Sequence, residues 1–139
     1  MFRFTTHGFT LHYCIGSLLV LLLTAACVTD RSKGEDELLI GRWELVRAER
    51  NNAPTESLDN LFFEFLPEQQ LRTNFTLTST ESMGTYTFSG DILEQTTPDL
   101  TADLTVKELT DSTLFLETRL RGTFFQLYLR RAADQVPGN

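Results

Sequence analysis

The chain has 139 residues, 41% of them hydrophobic, a length that supports one domain and is too short for two that each bury a respectable core. Its formal net charge of −7 argues against a nucleic-acid partner, since phosphates select clustered Lys and Arg. Both cysteines, Cys14 and Cys27, and both histidines, His7 and His12, lie near the N-terminus, so the rest of the chain has no internal disulfide, no thiolate or His–Cys metal site, and no Ser–His–Asp or Cys–His arrangement.

Residues 1–14 carry Arg3 as their only fixed charge, and residues 15–26 are an unbroken run of apolar or small side chains. That run is about a dozen residues, short of the roughly 20 that span a bilayer. Residues 1–26 therefore read as a secretory signal peptide, with a retained membrane anchor as the alternative. Ala25-Ala26 directly before Cys27 resembles the lipobox of bacterial lipoproteins, with Thr24 where Leu or Val is commoner. The resemblance implies that Cys27 is lipidated and becomes the mature N-terminus, anchoring the protein in the bacterial cell envelope at the outer membrane, on its periplasmic or surface face. Several acyl chains would hold it almost irreversibly, because each buried methylene adds about 0.8 kcal/mol. Loss of Arg3 with the leader takes the net charge from −7 to −8.

Residues 27–37, from the lipidated cysteine through a polar and charged stretch, read as a flexible tether. Glu35-Asp36-Glu37 is either a solvated spacer or, by resemblance to acidic segments that follow lipidated cysteines in some Gram-negative lipoproteins, a surface-export signal.

From residue 38 onward the hydrophobic period is two, broken by turn residues. A first strand is expected over 39–50, followed by a loop over 51–57 that ends in at most one helical turn. A second strand over 61–66 points Phe63 and Phe65 inward and Phe62 and Leu66 outward. The third alternates Leu71, Phe75 and Leu77 with polar residues, as a half-buried strand does. Short strands follow over 84–88, with Tyr86 and Phe88 inward, and over 92–95 after a tight turn at Ser89-Gly90-Asp91. Another strand runs over 100–109.

The last hairpin is the best specified. A two-residue turn at Arg121-Gly122 pairs Leu120 with Thr123, Leu116 with Leu127 and Leu114 with Leu129 on one face, and Glu117 with Gln126 and Phe115 with Tyr128 on the other. This register puts aliphatics with aliphatics throughout. The fold class is therefore all-β: about eight antiparallel strands in an up-and-down barrel over 38–133, with a sandwich as the alternative and a disordered tail over 134–139.

Gly41-Arg42-Trp43 on the first strand, a longer first loop, a meander of short strands and Leu129-Arg130-Arg131 on the last resemble the lipocalin-like barrels of small bacterial lipoproteins. The resemblance implies that Trp43 closes the barrel floor with Gly41 beside it. It also implies an arginine from the last strand packed across the indole: Arg131 by parity, Arg130 as fallback.

An apolar ligand in such a barrel would meet Phe63, Phe65, Phe75, Tyr86, Phe88, Leu116, Phe125 and Leu127. Arg47, on the Trp43 parity, would meet a ligand carboxylate. The alternative is a filled barrel serving as a non-catalytic structural or interaction module, with outward Phe115, Phe124 and Tyr128 as a protein-binding patch. Neither reading requires an enzyme, a cofactor or a metal.

Overall fold

Period-two alternation is realised here as one antiparallel sheet that returns to its own first strand. The computed structural model describes residues 31–133, with side chains from residue 34 onward. The expected signal peptide, Cys27 and the tail over 134–139 lie outside the described residues. One helix, α1 (Arg31–Leu39), precedes nine strands: β1 (Gly41–Arg50), β2 (Ala53–Thr55), β3 (Phe62–Leu66), β4 (Gln70–Thr73), β5 (Ser82–Ser89), β6 (Ile92–Thr96), β7 (Thr101–Leu109), β8 (Thr113–Leu120) and β9 (Thr123–Arg131).

Strands β3 to β9 pair in sequence order, and β1 pairs with both β3 and β9. Eight strands thus close an antiparallel barrel, as the alternation predicts, and closure satisfies the edges that an open sheet would expose. β2 is a ninth, three-residue strand laid on the far end of β1. In the final hairpin the predicted register is met at every pair from Leu120–Thr123 to Leu114–Leu129. Its turn works because Arg121 and Gly122 both take positive φ, 49° and 81°, the backbone twist that matches two antiparallel strands.

Four local departures from the sequence reading have physical causes. Residues 31–37 of the expected tether are helical, and the helix runs on to Leu39. The order of charge in α1, Arg31 and Lys33 first and Glu35 to Glu37 later, opposes the helix dipole, and all its described side chains up to Leu38 are exposed. The helix is held at its end instead, by Leu39, which is fully buried.

The first loop is a second hairpin: Asn51 and Asn52 at φ 50° and 64° turn the chain so that Arg50 pairs with Ala53. Asparagine tolerates this conformation better than other non-glycine residues. The turns that follow Thr55 contain no helix.

The third strand ends at Thr73, five residues before the alternation does. Thr73 Oγ1 accepts from Phe75 N at 3.0 Å and donates to Phe62 O at 2.6 Å. Asn74 Oδ1 accepts from Phe62 N at 2.9 Å, and its amide donates to Asn60 O at 2.9 Å. These side-chain bonds replace the ladder and turn the backbone out of the sheet. Leu77, expected inward, is 44% exposed.

The fourth departure is at Phe62, which is buried although it faces outward, because the Arg42 guanidinium lies 4.0 Å from its ring centroid.

Two β-bulges, at Leu45/Arg47 in β1 and Val106/Glu108 in β7, add the local bend a small barrel needs at its corners. The first bulge reverses the parity of everything after it in β1. Val46 becomes the extra, exposed residue, and Ala48 rather than Arg47 turns into the core.

Candidate functional site

The two ends of the barrel are built differently. At the α1 end Trp43 is fully buried, and its indole N–H donates to Leu39 O at 2.8 Å. Arg131 sits directly across the sheet from Trp43, with its guanidinium carbon 4.2 Å from the indole centroid. From there it donates to Ile40 O at 2.7 Å, to Leu38 O at 2.5 Å and, through Nε, to Asp111 O at 2.5 Å. One rigid, planar cation thus satisfies carbonyls at the end of α1, in the link to β1 and in the β7–β8 turn, a geometry that an ammonium cannot reproduce. Arg130, its neighbour, is exposed.

Gly41 explains itself against this arrangement. Its φ is 127°, and a Cβ there would stand 2.5 Å from Arg131 Nη1. The Gly-x-Trp spacing therefore leaves the guanidinium room to reach across.

Between the ends the interior is occupied by side chains. Phe63, Phe65, Leu116 and Leu127 have no exposed surface, and Phe75 and Tyr86 are 4% and 6% exposed. The rings pack against one another: Phe63 stacks on Phe65 at 5.9 Å, Phe75 leans on Phe63 at 5.7 Å, and Tyr86 meets Phe65 edge-on at 4.9 Å. The expected ligand lining is therefore brought together but faces itself, and it divides. Tyr86 and Phe88 border the clefts beside α1, whereas Phe75 and Phe125 stand toward the opposite end.

That opposite end is closed by a loop residue. Phe75 follows β4 outside the sheet and folds its ring back onto Phe63. Gln95, buried on β6 between Tyr86 and Ala102, holds the segment by donating Nε2 to Phe75 O at 2.9 Å. A second tie runs from Leu77 N to Asp99 Oδ2 at 3.1 Å. Leu58, Leu120 and Phe125 are only partly buried, whereas Leu61 and Leu100, also outside the strands, are buried in the core, so the closure is made by one ring and loop side chains rather than by a buried ion–aromatic clasp.

Arg47 is outside the barrel, a correction to its expected inward position. The bulge before it turns it onto the outer face, where its guanidinium covers the Tyr128 ring at 4.0 Å. A ligand carboxylate in the interior would find no partner there. Phe115 and Tyr128 stack at 4.3 Å on the same outer face, and Arg119 lies 5.6 Å from Phe124. All three aromatics are half-buried on the outer face, where arginines lie over Tyr128 and Phe124. Among the described residues, no group of three or more His, Cys, Asp or Glu gathers in a metal-binding arrangement.

A cleft of about 320 Å³ separates α1 from the barrel rim, lined by Asp36, Glu37, Ile40, Glu68, Gln69, Tyr86 and Phe88. The Tyr86 hydroxyl donates weakly to Leu66 O at 3.4 Å. Burial pushes its phenol above the ordinary value of 10.0, and the Asp36 carboxylate adds to the rise. A larger cleft of about 570 Å³ opens where β1 leaves β3 for β2, between Leu45–Ala48 and the turn at Glu56, Asp59 and Asn60.

No family model matches the chain, and no curated protein matches it. Solved structures do. A lipocalin-like protein from Bacteroides uniformis ATCC 8492 superimposes with a TM-score of 0.53 at 19% identity, over 68% of this chain and 99% of that one. An uncharacterized protein from Bacteroides eggerthii DSM 20697 gives 0.51 at 17% identity with the same coverage. At such identities the likeness is one of fold, and the fold is a lipocalin-like barrel.

Two measurements check this geometry. Gly41→Ala should cost about 1–3 kcal/mol through backbone strain and displacement of the guanidinium. Arg131→Lys should cost roughly 2 kcal/mol through carbonyls left unpaired. Because both act through one guanidinium, the double variant should lose less than the sum in urea unfolding followed by Trp43 fluorescence, and strict additivity would contradict the clasp.

The second concerns alkali. The folded protein holds the Tyr86 proton more tightly than the unfolded chain, so stability is unaffected below pH 10.0 and falls as pH rises through the raised folded value. Tyr86→Phe should remove that part of the decline, which sets in as pH rises past 10.0; an unchanged alkaline slope would contradict it.

Proposed function

We propose that this lipocalin-like domain is a non-catalytic binding module of the bacterial cell envelope, anchored by lipid on Cys27, that takes one small apolar ligand at the end of the barrel opposite Trp43. The observation that carries the reading is the nature of the closure there. Every other ring in the interior belongs to a strand and is locked by register, whereas Phe75 comes from a loop and is replaceable without unpairing any ladder.

Packing also limits the ligand. With Phe63, Phe65, Leu116 and Leu127 fully buried, the room made by moving Phe75 is that of a single ring. A cavity on the order of 150 Å³ holds a benzene-sized molecule and excludes a long acyl chain. Lipocalin-like folds lend themselves to ligands in this position, because the barrel mouth is where a concave apolar surface meets solvent.

The second reading, a filled barrel that acts as a structural or interaction module, draws on the same packing. It is favoured by the continuous stack from Tyr86 through Phe65 and Phe63 to Phe75. The two readings part at Phe75. For a binding module, native mass spectrometry of the purified protein finds a co-bound small molecule, and Phe75→Trp, which overfills the plug, lowers its occupancy several-fold. For a filled barrel no adduct is found in either protein, and Phe75→Trp only destabilises, by about 1–3 kcal/mol.

Anchoring has its own test. Cys27→Ser is expected to move the protein from the membrane fraction to the soluble envelope fraction, and unchanged fractionation would refute lipidation.

A further inference from the structure

One atom in the interior is out of keeping with its surroundings. Among the described residues, Gln95 Oε1 is the buried side-chain polar atom without a hydrogen-bond partner, and Gln95 has no exposed surface at all. An orphaned acceptor inside an apolar barrel is costly, because its hydration is lost and nothing replaces it.

The orientation of the amide is set by its other end. Nε2 donates to Phe75 O at 2.9 Å, and exchanging the two atoms would set two acceptors against each other, so the acceptor assignment follows from chemistry. Nor do the other buried hydroxyls of the core serve it. Thr73 Oγ1 donates to Phe62 O at 2.6 Å, Thr118 Oγ1 to Asp103 O at 2.7 Å, and Thr97 Oγ1 lies 3.1 Å from both Asp99 Oδ1 and Leu100 O. Each hydroxyl has one proton. All three are engaged elsewhere.

The charge at the site is equally telling. Among the described residues, the buried polar groups of the core are three threonines and one glutamine, with no cation, and Arg47 lies on the outer face. An anionic head group would have to shed its water against an unpaired carbonyl oxygen, which is unfavourable twice over.

We infer that the ligand is a neutral, ring-sized molecule with a single hydrogen-bond donor, a phenol-type hydroxyl or an indole-type N–H, whose ring takes the place of the Phe75 ring and whose donor closes on Gln95 Oε1. This rests on the reading of Phe75 as a displaceable plug, and adds to it the chemical class the site selects. The same amide therefore does two things: Nε2 ties the plug segment by its backbone, and Oε1 reads the incoming molecule. Discrimination by a buried acceptor is stronger than by apolar fit, because an analogue lacking the donor leaves the acceptor unpaired.

The test uses the purified full chain carrying Phe75→Ala, which opens the ring site and keeps the backbone carbonyl that orients Gln95. Phenol, toluene and benzoate are titrated by calorimetry, with the side-chain amide resonances of Gln95 followed by NMR. Phenol is expected to bind about tenfold more tightly than toluene, benzoate not detectably, and the Gln95 resonances to move with phenol only. Adding Gln95→Leu should bring phenol down to the toluene level without weakening toluene; the amide resonances of the single variant keep the question decidable if the double variant does not fold. Equal binding of phenol and toluene with unmoved Gln95 resonances overturns the inference and is the result expected of an acceptor served by water. Binding of neither compound refutes the plug itself, and with it the ligand reading on which the inference stands.

Discussion

The position of one guanidinium decides more of this structure than any strand does. Arg131 lies against the buried face of Trp43 and bonds three carbonyls from three segments, at Leu38, Ile40 and Asp111. Those carbonyls lie at the end of α1, in the link to β1 and in the β7–β8 turn, outside any ladder, so without the cation each would be left to solvent or stranded. The ion–ring contact adds about 0.5–2 kcal/mol, depending on how far it is removed from water. Gly41 exists to let this happen, and α1, whose charges run against its dipole and whose visible side chains are exposed before Leu39, depends on it for a fixed end. Helix, first strand, the β7–β8 turn and last strand are thereby one unit.

Register propagates from there. Trp43 pairs with Arg131 and with Phe63, and Phe63 in turn with Thr73, so the clasp aligns four strands before any hairpin is considered. A slip of one residue anywhere in this row would carry the aromatic set to the outer face. The outside is adapted to the same register. Glu64 stands between Arg72, whose Nε donates to it at 2.7 Å, and Arg42 at 3.9 Å, and Arg42 in turn covers Phe62. Each exposed pair of this kind is worth little by itself, yet the row places opposite charges where a shifted register would not.

What could be read in the sequence and what could not separate along the same line. Alternation gave the strand faces wherever it was uninterrupted, and the hairpin about Arg121-Gly122 was fully specified because its turn chemistry and its aliphatic pairs agree. Parity failed where the count of residues stopped being the count of ladder positions. The bulge at Leu45/Arg47 inserts Val46 into β1, and a parity rule carried across it assigns Arg47 to the core when Ala48 belongs there. No residue type in that stretch announces a bulge. Phe75 escaped for the opposite reason: Thr73 and Asn74 do announce an alternative to the ladder, through side chains that bond nearby backbone, but the alternation of Leu71, Phe75 and Leu77 concealed it. Gln95 was missed because a single polar residue in an inward row has no meaning until its partners can be counted.

The asymmetry between the ends is what bears on function. At one end burial, a cation and three carbonyls reinforce one another, so opening it would strand several groups at once. At the other, a ring, the amide bond from Gln95, the Leu77–Asp99 tie and the side-chain bonds of Thr73 and Asn74 hold a loop over the core. The free energy of a local opening follows how many interactions it must break and how strongly they reinforce one another, so thermal opening of this barrel belongs to the Phe75 end. For the ligand proposed above, exchange with solvent while the fold stays intact belongs where opening costs least, and Gln95, whose Oε1 is unsatisfied, ties the Phe75 segment there. The residues that make the barrel permanent and those that could make it selective are therefore distinct, joined by the aromatic stack and the aliphatic core around it.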